Sequence, residues 1–279
     1  MTAQIMATPI TTALIPKLLS IAGSDPSGGA GVQGDLKTFS ALGCYGMAAI
    51  TALTAQNTRG VSLVHAVPAS VVAAQIDAVF ADIDVDAVKI GMLAEPAIAA
   101  CVADSLARAG ATRIVLDPVL VATSGDSLSA AGLIHSVIAR LFPLAALVTP
   151  NLPEAAALLG AREAVAAREM VEQGRALLAC GARAVLMKGG HLSGEPLDIL
   201  VAGETVQEFH GRRAPTKNLH GTGCALSSAI AAHLALGAPL GAAIRAAKDY
   251  LEDALSAADA LALGSGRGPP HLLHALWKR

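Results

Sequence analysis

The stretch His220-Gly221-Thr222-Gly223-Cys224-Ala225 leads into a run of small and apolar residues, 226–232, that is typical of a buried helix. Two glycines separated by one residue let successive backbone N–H groups point at one anion, and the helix dipole adds positive potential there. A thiol at this position is expected to have a lowered pKa. The pattern fits either a phosphoryl-transfer centre or a glycine-rich helix start with an ordinary buried cysteine.

Short apolar runs alternate with alanine-rich helical stretches along the rest of the chain. We predict strands over 18–24, 48–56, 87–93, 113–119, 146–151 and 184–189, a hairpin over 198–209 turning at Gly203-Glu204, and helices over 71–83, 96–109, 130–141, 168–180, 224–236 and 240–261. Continuous apolar strands separated by helices indicate a mostly parallel sheet covered on both faces. We expect one domain over residues 18–279, preceded by a flexible extension, 1–17.

The composition restricts the classes of function. The chain has 279 residues, of which 53% are hydrophobic and 3% aromatic, and its formal net charge is −2. The weak charge and few aromatic rings argue against nucleic-acid partners, and apolar stretches interrupted well before about 20 residues argue against a membrane span. The four cysteines show no metal-ligand spacing and no compact disulfide pattern, which favours a cytoplasmic location.

Charged and polar residues follow the predicted strands at their carboxyl ends, where open parallel sheets bind ligands. Asp117, Asn151, Glu154 and Lys188 all fall at such ends. Asp117 can reach Mg²⁺ or one of its waters, and Lys188 can bring an ammonium group to the β- or γ-phosphate of a nucleotide. Taken alone, Asn151 and Glu154 also fit a helix cap.

One glycine motif competes with this interpretation. Gly29-Ala30-Gly31-Val32-Gln33-Gly34 matches the glycine pattern of dinucleotide-binding proteins. Such a site needs an acidic residue about 20 positions further on to hold the ribose hydroxyls. The corresponding stretch, 51–57, contains no Asp or Glu, which argues against a nicotinamide oxidoreductase. No Lys-Ser or Lys-Thr pair stands directly after the glycines, which argues against a Walker-type P-loop.

In this order, the glycine-rich loop 23–31, Asp117-Pro118-Val119, the segment 149–154, Lys188-Gly189-Gly190 and the motif 220–225 closely resemble the hydroxymethylpyrimidine/phosphomethylpyrimidine kinases of thiamine biosynthesis. The resemblance covers nearly the whole chain. It implies the ribokinase-like fold, a three-layer α/β/α sandwich with a mostly parallel sheet. It also implies ATP and Mg²⁺ as cofactors and two successive phosphorylations of a small aminopyrimidine. Dimers are frequent in this superfamily, so a homodimer is compatible with the resemblance.

The resemblance assigns roles by position. It places the substrate at Gly23, Asp35, Gln56, Met92 and Val119, the nucleotide at Asn151, Glu154, Lys188, Gly221, Thr222 and Gly223, and the metal at Asp117 and Glu154. Cys224 stands where many related kinases carry an aspartate base, so it is expected to accept the acceptor's proton, and Lys188 is expected to act with it in catalysis.

Several of these residues also fit plainer roles. Asp35 fits a solvated helix charge, and Met92 fits a core methionine. Gln56 fits a strand-end polar residue, although an amide that donates and accepts at once suits an aminopyrimidine edge. His191 and His220 fit either phosphate contact or a structural role.

Alternative functions remain open at this point. A pyridoxal or pyridoxine kinase on the same fold is one, because pyridine and pyrimidine acceptors have similar size. A hydrolase with Cys224 as nucleophile and His220 as base is another, but it leaves the charges at the strand ends without a task. A third is a vitamin-binding protein without activity, which has no need of the anion site. The loops 124–127 and 191–195 are candidates for closing over ligands.

Overall fold

Successive side chains of each strand point to opposite faces of one central sheet. The computed structural model describes residues 14–120, 132–190, 192 and 194–277. Its strands are β1 (Lys17–Ser24), β2 (Tyr45–Asn57), β3 (Gly60–Ala66), β4 (Ala87–Ile90), β5 (Ile114–Leu116), β6 (Leu147–Val148), β7 (Val185–Lys188), β8 (Leu197–Ala202) and β9 (Thr205–His210). In the described residues these strands form a sheet in the order β3-β2-β1-β4-β5-β6-β7-β8-β9.

The prediction of a mostly parallel sheet is confirmed. The strands from β2 through β1 and β4 to β7 pair in parallel, whereas β3 pairs antiparallel with β2, and β8 pairs antiparallel with both β7 and β9. The strand order reverses between β1 and β4, because the chain goes from β1 to β2 on one side and later returns to β4 on the other. Such a switch point opens a crevice at the carboxyl ends of the two strands.

Helices cover both faces of the sheet and give the expected three layers. The face that contains Leu18 is covered by α1 (Gly31–Ala41), α7 (Thr222–Ala235) and α8 (Leu240–Ser256). The opposite face, which contains Leu19 and Ile21, is covered by α2 (Ala69–Phe80), α3 (Pro96–Arg108), α4 (Leu133–Ser136), α5 (Leu152–Leu159) and α6 (Ala167–Ala179). No helix in the described part of the chain has the length and apolar character needed to cross a bilayer.

The differences from the predicted elements have simple causes. Strand β3 was not predicted because most of its residues are exposed and carry no apolar run. The predicted strands 113–119 and 146–151 are too long, since the chain leaves the sheet at Asp117 and Thr149. The described part of the predicted helix 130–141 is α4 followed by a π-helical turn, Val137–Leu141, and the predicted helix 240–261 divides into α8 and a 3₁₀ turn, Ala258–Leu261.

Three predictions concern positions that lie outside the described residues. These are the first thirteen residues of the expected extension, the loop 124–127 and His191. By contrast, the hairpin predicted over 198–209 is confirmed, because β8 and β9 pair on either side of the turn at Gly203 and Glu204.

Candidate active site

Two glycine-rich segments pack directly on each other at the carboxyl edge of the sheet. Gly221, the residue before α7, has a φ of +79°, and a Cβ atom there would lie 2.1 Å from the carbonyl oxygen of Gly29. Both observations require glycine. A Cβ atom at Gly223 would lie 3.1 Å from Nζ of Lys188. The first turn of α7, with Thr222 as its first residue, therefore lies beside both the loop after β1 and the lysine at the end of β7.

Asp25 organises the loop after β1, and the sequence analysis did not single it out. Its carboxylate accepts hydrogen bonds from the backbone N–H groups of Ser27, Gly29 and Ala30 at 2.8–3.1 Å, and it lies 2.8 Å from Nε2 of His220. Burial alone raises the pKa of Asp25, but the hydrogen bonds from His220 and Ser27 outweigh burial and lower it to about 2. The signal in the sequence was an aspartate directly before a Pro-Ser-Gly-Gly turn.

Lys188 lies between two carboxylates at the sheet edge where the strand-end pattern predicted all three residues. Its Nζ is 2.7 Å from Oδ1 of Asp117 and 3.9 Å from Oε2 of Glu154. Burial works to lower the pKa of Lys188, but the two carboxylates raise it above its ordinary value, so the side chain stays a cation. Asp117 also accepts hydrogen bonds from Thr149 at 3.2 Å and Ser227 at 3.3 Å, and despite burial its pKa is lowered, chiefly by Lys188.

Asn151 and Glu154 form the helix cap that their spacing also allowed. The Glu154 N–H donates to Oδ1 of Asn151, and the Asn151 N–H donates to Oε2 of Glu154, both at 2.8 Å. Glu154 is nevertheless buried beside Lys188, and burial raises its pKa to about 7. The pair therefore caps α5 and at the same time brings a carboxyl group to the charged cluster.

The donor set at this cluster fits Mg²⁺. In the described residues, no group of three or more His, Cys, Asp or Glu side chains is arranged to hold a metal ion. Asp117 and Glu154 supply two carboxylates on either side of Lys188. Mg²⁺ typically takes one or two carboxylates and keeps waters and phosphate oxygens as its other ligands. The residues present suit that mode of binding better than a site built from protein ligands alone.

An apolar patch lies at the switch point, between the ends of β1 and β4. Met92 contacts Ala52 and Ala94, and Val61, Ala66 and Val119 pack around them. A Cβ atom at Gly23 would lie 3.2 Å from the Met92 sulfur, so a larger residue at this position would crowd the methionine side chain. The structure thus brings together three of the residues predicted to bind the substrate: Gly23, Met92 and Val119.

Gln56 is half-buried on β2, where its carboxamide bridges two neighbours. One terminal atom lies 3.2 Å from Nε2 of His220, and the other lies 3.1 Å from the hydroxyl of Thr54. Gln56 is therefore linked to the residue that precedes Gly221. The sequence offered no sign of this link, because 164 positions separate Gln56 from His220.

Asp35 is not a solvated helix charge, so that interpretation is wrong. It is fully buried, both of its oxygens lie 2.9 Å from Nζ of Lys89, and it accepts hydrogen bonds from Ser20 at 2.6 Å and Ser228 at 2.7 Å. This position is beneath the site and gives no support to direct contact with a substrate. Lys89 was not among the predicted site residues, although a lysine between Val88 and Ile90 in a buried strand is unusual.

Cys224 lies in the first turn of α7, one helical turn before Ser228. The expectation of a lowered pKa is wrong for this structure, because burial raises the pKa of the thiol. The charge of Lys89 and the backbone N–H of Gly31 act in the opposite direction, whereas Asp35 and Asp117 reinforce the rise. The group is therefore a protonated thiol at neutral pH.

Comparisons with known proteins place this arrangement in context. The family model described as phosphomethylpyrimidine kinase matches residues 25–271. A hydroxymethylpyrimidine/phosphomethylpyrimidine kinase of Rhizobium meliloti (strain 1021) is 56% identical over 261 residues, covering 93% of this chain and 98% of the relative.

Two solved structures share the fold. A crystal structure of phosphomethylpyrimidine kinase from Clostridium difficile 630 has a TM-score of 0.77 and 42% identity, covering 86% of this chain and 99% of that one. A structure of pyridoxal kinase from Staphylococcus aureus in complex with AMP-PCP has a TM-score of 0.86 and 31% identity, covering 96% of each chain. The expected three-layer fold is confirmed by both.

Proposed function

Since the chain belongs to the phosphomethylpyrimidine kinase family and is a phosphotransferase, we propose that it uses ATP to phosphorylate 4-amino-5-hydroxymethyl-2-methylpyrimidine and then the monophosphate, giving the diphosphate for thiamine diphosphate biosynthesis. The observation that carries this proposal is a junction at one sheet edge. There Gln56 pairs with Val61, which packs on the apolar patch around Met92, and contacts His220, which directly precedes the glycine-rich start of α7.

The acceptor binds at the switch point. The ring packs on Met92, with Gly23 and Val119 beside it, because these residues offer an apolar surface of the required kind. The Gln56 carboxamide meets the amino group and the adjacent ring nitrogen, since it carries both a donor and an acceptor. Asp35 contributes to the substrate site through Lys89 and Ser228, to which it is hydrogen-bonded.

The phosphates bind over the first turn of α7. The backbone N–H groups of Gly221, Thr222 and Gly223, together with the helix dipole, attract the charge of the transferred group. Lys188 adds a full positive charge beside Gly223. Phosphoryl transfer depends mostly on positioning and charge stabilisation, and these groups supply both.

Asp117 and Glu154 would hold Mg²⁺, largely through water, and Asn151 keeps Glu154 in place by capping α5. When bound, the ion neutralises phosphate charge. Lys188 is the third charge of this cluster, and its ammonium group orients the phosphate oxygens.

Cys224 Sγ accepts the proton of the acceptor hydroxyl as the oxygen attacks phosphorus. Because burial raises the pKa of this thiol, its own proton must leave first, and we expect the turnover rate to rise with pH above neutrality. Cys224→Ala should fold and bind both ligands but lose about 10²–10⁴-fold in turnover, the usual contribution of a positioned base. Cys224→Asp should restore part of the rate, and near-wild-type turnover of Cys224→Ala would remove the thiol from the mechanism.

A substrate panel tests the function directly. With ATP and Mg²⁺, formation of ADP and of pyrimidine mono- and diphosphate is followed for hydroxymethylpyrimidine, its monophosphate and pyridoxal. The proposal expects turnover of both pyrimidines. Preference for pyridoxal would favour the alternative raised by the structural similarity to a pyridoxal kinase, and acceptor cleavage without ATP would favour a hydrolase.

We also propose a single domain over residues 18–279, a homodimer and a cytoplasmic location. One continuous sheet from β1 to β9 supports the single domain. Exposed Leu53 on β2 and Leu63 on β3 share one face of this antiparallel pair and support self-association, which light scattering coupled to size-exclusion chromatography tests. Free thiols at all four cysteines support a reducing compartment.

A further inference from the structure

His220 contacts residues from both halves of the proposed site. Its Nε2 lies 2.8 Å from Oδ2 of Asp25 and 3.2 Å from the terminal nitrogen of Gln56. The ring is nearly buried, and a Cβ atom at Gly29 would lie 2.7 Å from its Cδ2 atom. The backbone N–H of His220 donates to the carbonyl of Gly268 at 3.0 Å. The imidazole is thus held on several sides, so its Nε2 atom has a fixed position from which it can orient the Gln56 side chain.

The hydrogen on the ring can be located from its partners. Asp25 accepts from three backbone N–H groups and is ionised at neutral pH. A carboxylate is an acceptor only, so the ring nitrogen that faces it at 2.8 Å must carry a hydrogen. That hydrogen makes Nε2 of His220 a donor, for the neutral ring as well as for the charged one.

The orientation of the Gln56 carboxamide follows from this donor. With its nitrogen toward His220, two donors would face each other at 3.2 Å. With its oxygen toward Thr54, one hydroxyl hydrogen would have to serve both Gln56 and the Ser24 carbonyl, which it already meets at 2.9 Å. Turning the amide by 180° about its last bond removes the contact between two donors and leaves the Thr54 hydroxyl hydrogen to the Ser24 carbonyl alone. The oxygen then accepts the longer branch of a shared hydrogen bond from His220 Nε2, whose nearer acceptor is Asp25, and the NH₂ group donates to Thr54.

We propose that His220 is a positioning residue that fixes which way the Gln56 carboxamide faces. It thereby selects substrates by the order in which they present hydrogen-bond donors and acceptors to that amide. In this orientation the amide keeps one N–H and one oxygen lone pair for a ligand. Their order is complementary to an amine beside a ring nitrogen. This inference rests on the proposed function, because it takes Gln56 to be the residue that reads the acceptor.

The test compares two acceptors, hydroxymethylpyrimidine and the same molecule without its amino group. In His220→Leu the ratio of kcat/KM for the amino over the deamino acceptor should fall by about 5- to 150-fold, as for the loss of one buried hydrogen bond. His220→Gln should rescue part of the ratio, because its terminal NH₂ reaches the same place as a donor. His233→Leu, at the far end of α7, is the matched control and should leave the ratio unchanged.

A double-mutant cycle separates positioning from general damage. In a Gln56→Leu background, His220→Leu should no longer change the ratio, because the amide that it orients is gone. A structural role alone would lower kcat/KM for both acceptors equally and would weaken binding of AMP-PCP to the same degree. An unchanged ratio in His220→Leu, or a ratio that still falls in the Gln56→Leu background, would overturn the proposal.

A measurement without substrate keeps this proposal distinct from the proposed function. In ¹⁵N-labelled protein, the ring of His220 should carry hydrogen on Nε2, and the side-chain NH₂ signals of Gln56 should shift in His220→Leu but not in His233→Leu. A His220 ring without a hydrogen on Nε2 overturns the inference even if the kinase activity is confirmed. Inactivity of the wild type toward both pyrimidines contradicts the proposed function, while the NMR result still decides how the amide is oriented.

Discussion

The buried ion pair between Lys89 and Asp35 gives the sharpest prediction. Both side chains are fully buried, and Nζ lies 2.9 Å from each carboxylate oxygen. Lys89→Met fills a similar volume but leaves the carboxylate buried without its cation. Removing one partner of such a pair costs about 3–5 kcal/mol. Among the described residues, the hydrogen bonds from Ser20 and Ser228 then remain to stabilise Asp35.

The double variant Lys89→Met/Asp35→Leu should recover much of that loss. A buried pair replaced by apolar residues of similar volume is often nearly neutral in stability, because no charge is left unpaired. The hydroxyl groups of Ser20 and Ser228 would lose their acceptor, at about 1–3 kcal/mol for each that finds no other. We therefore expect the double variant to be more stable than Lys89→Met, yet below the wild type.

Urea unfolding at constant m-value measures these free energies. A second buried pair of the same kind, Lys248 with Asp198, provides the matched control. Lys248→Met should cost a similar free energy. Lys89→Met, unlike Lys248→Met, should further raise the pKa of the Cys224 thiol, because the charge of Lys89 acts to lower it. The pH dependence of Cys224 alkylation, followed by peptide mass spectrometry, reports that pKa.

Two results would refute this reasoning. A loss below about 1 kcal/mol in Lys89→Met would place the pair in the range of exposed ion pairs, in conflict with its full burial. An equal shift of the Cys224 alkylation profile in Lys89→Met and Lys248→Met would show a general loosening of the fold instead of a specific charge effect.

Three further changes test the two halves of the site. Lys188→Ala should mainly lower kcat with ATP and leave the aminopyrimidine Kd from calorimetry nearly intact, and a collapse of pyrimidine binding at unchanged kcat would contradict the division into halves. Gln56→Leu should cost about 1–3 kcal/mol in kcat/KM for the aminopyrimidine and much less for pyridoxal, whereas equal losses would make Gln56 structural. Because the pKa of Glu154 rises from 4.5 to about 7 on folding, its contribution to stability falls as pH rises through that window. In metal-free buffer Glu154→Gln should therefore flatten the unfolding free energy between pH 5 and pH 8, and an unchanged slope would contradict the raised pKa.

The sheet was predictable because its strands are buried on both faces and therefore appear as continuous apolar runs. The same reasoning missed β3, whose residues are mostly exposed and carry no such run. It also extended β5 too far, because Val119 is an apolar residue of the loop that follows this strand. Apolar character marks burial, and burial continues past the last hydrogen bond of a strand.

The cluster of Asp117, Glu154 and Lys188 was predictable for a related reason. Charged residues that follow buried strands stand out in the sequence, and parallel strands carry them to one edge. The pairing of Asp25 with His220 was not predictable, since 195 positions separate the two residues. Nor was the pairing of Asp35 with Lys89, because a charge on an amphipathic helix such as α1 normally faces water. Only the packing of α1 against β1, β4 and α7 turned that charge inward.

The buried charges of the site also explain why its pKa values depart from the first expectation. Lys89 and Lys188 are each paired with a carboxylate at hydrogen-bond distance, so neither cation is free to hold Cys224 as a thiolate. A ligand that takes Asp117 or Glu154 away from Lys188 would release positive charge at the first turn of α7. The Cys224 thiol and the backbone N–H groups proposed to bind phosphate lie in that same turn. Binding at the carboxylates would thus strengthen phosphate attraction and ease thiol ionisation together, which links the two halves of the site through charge balance.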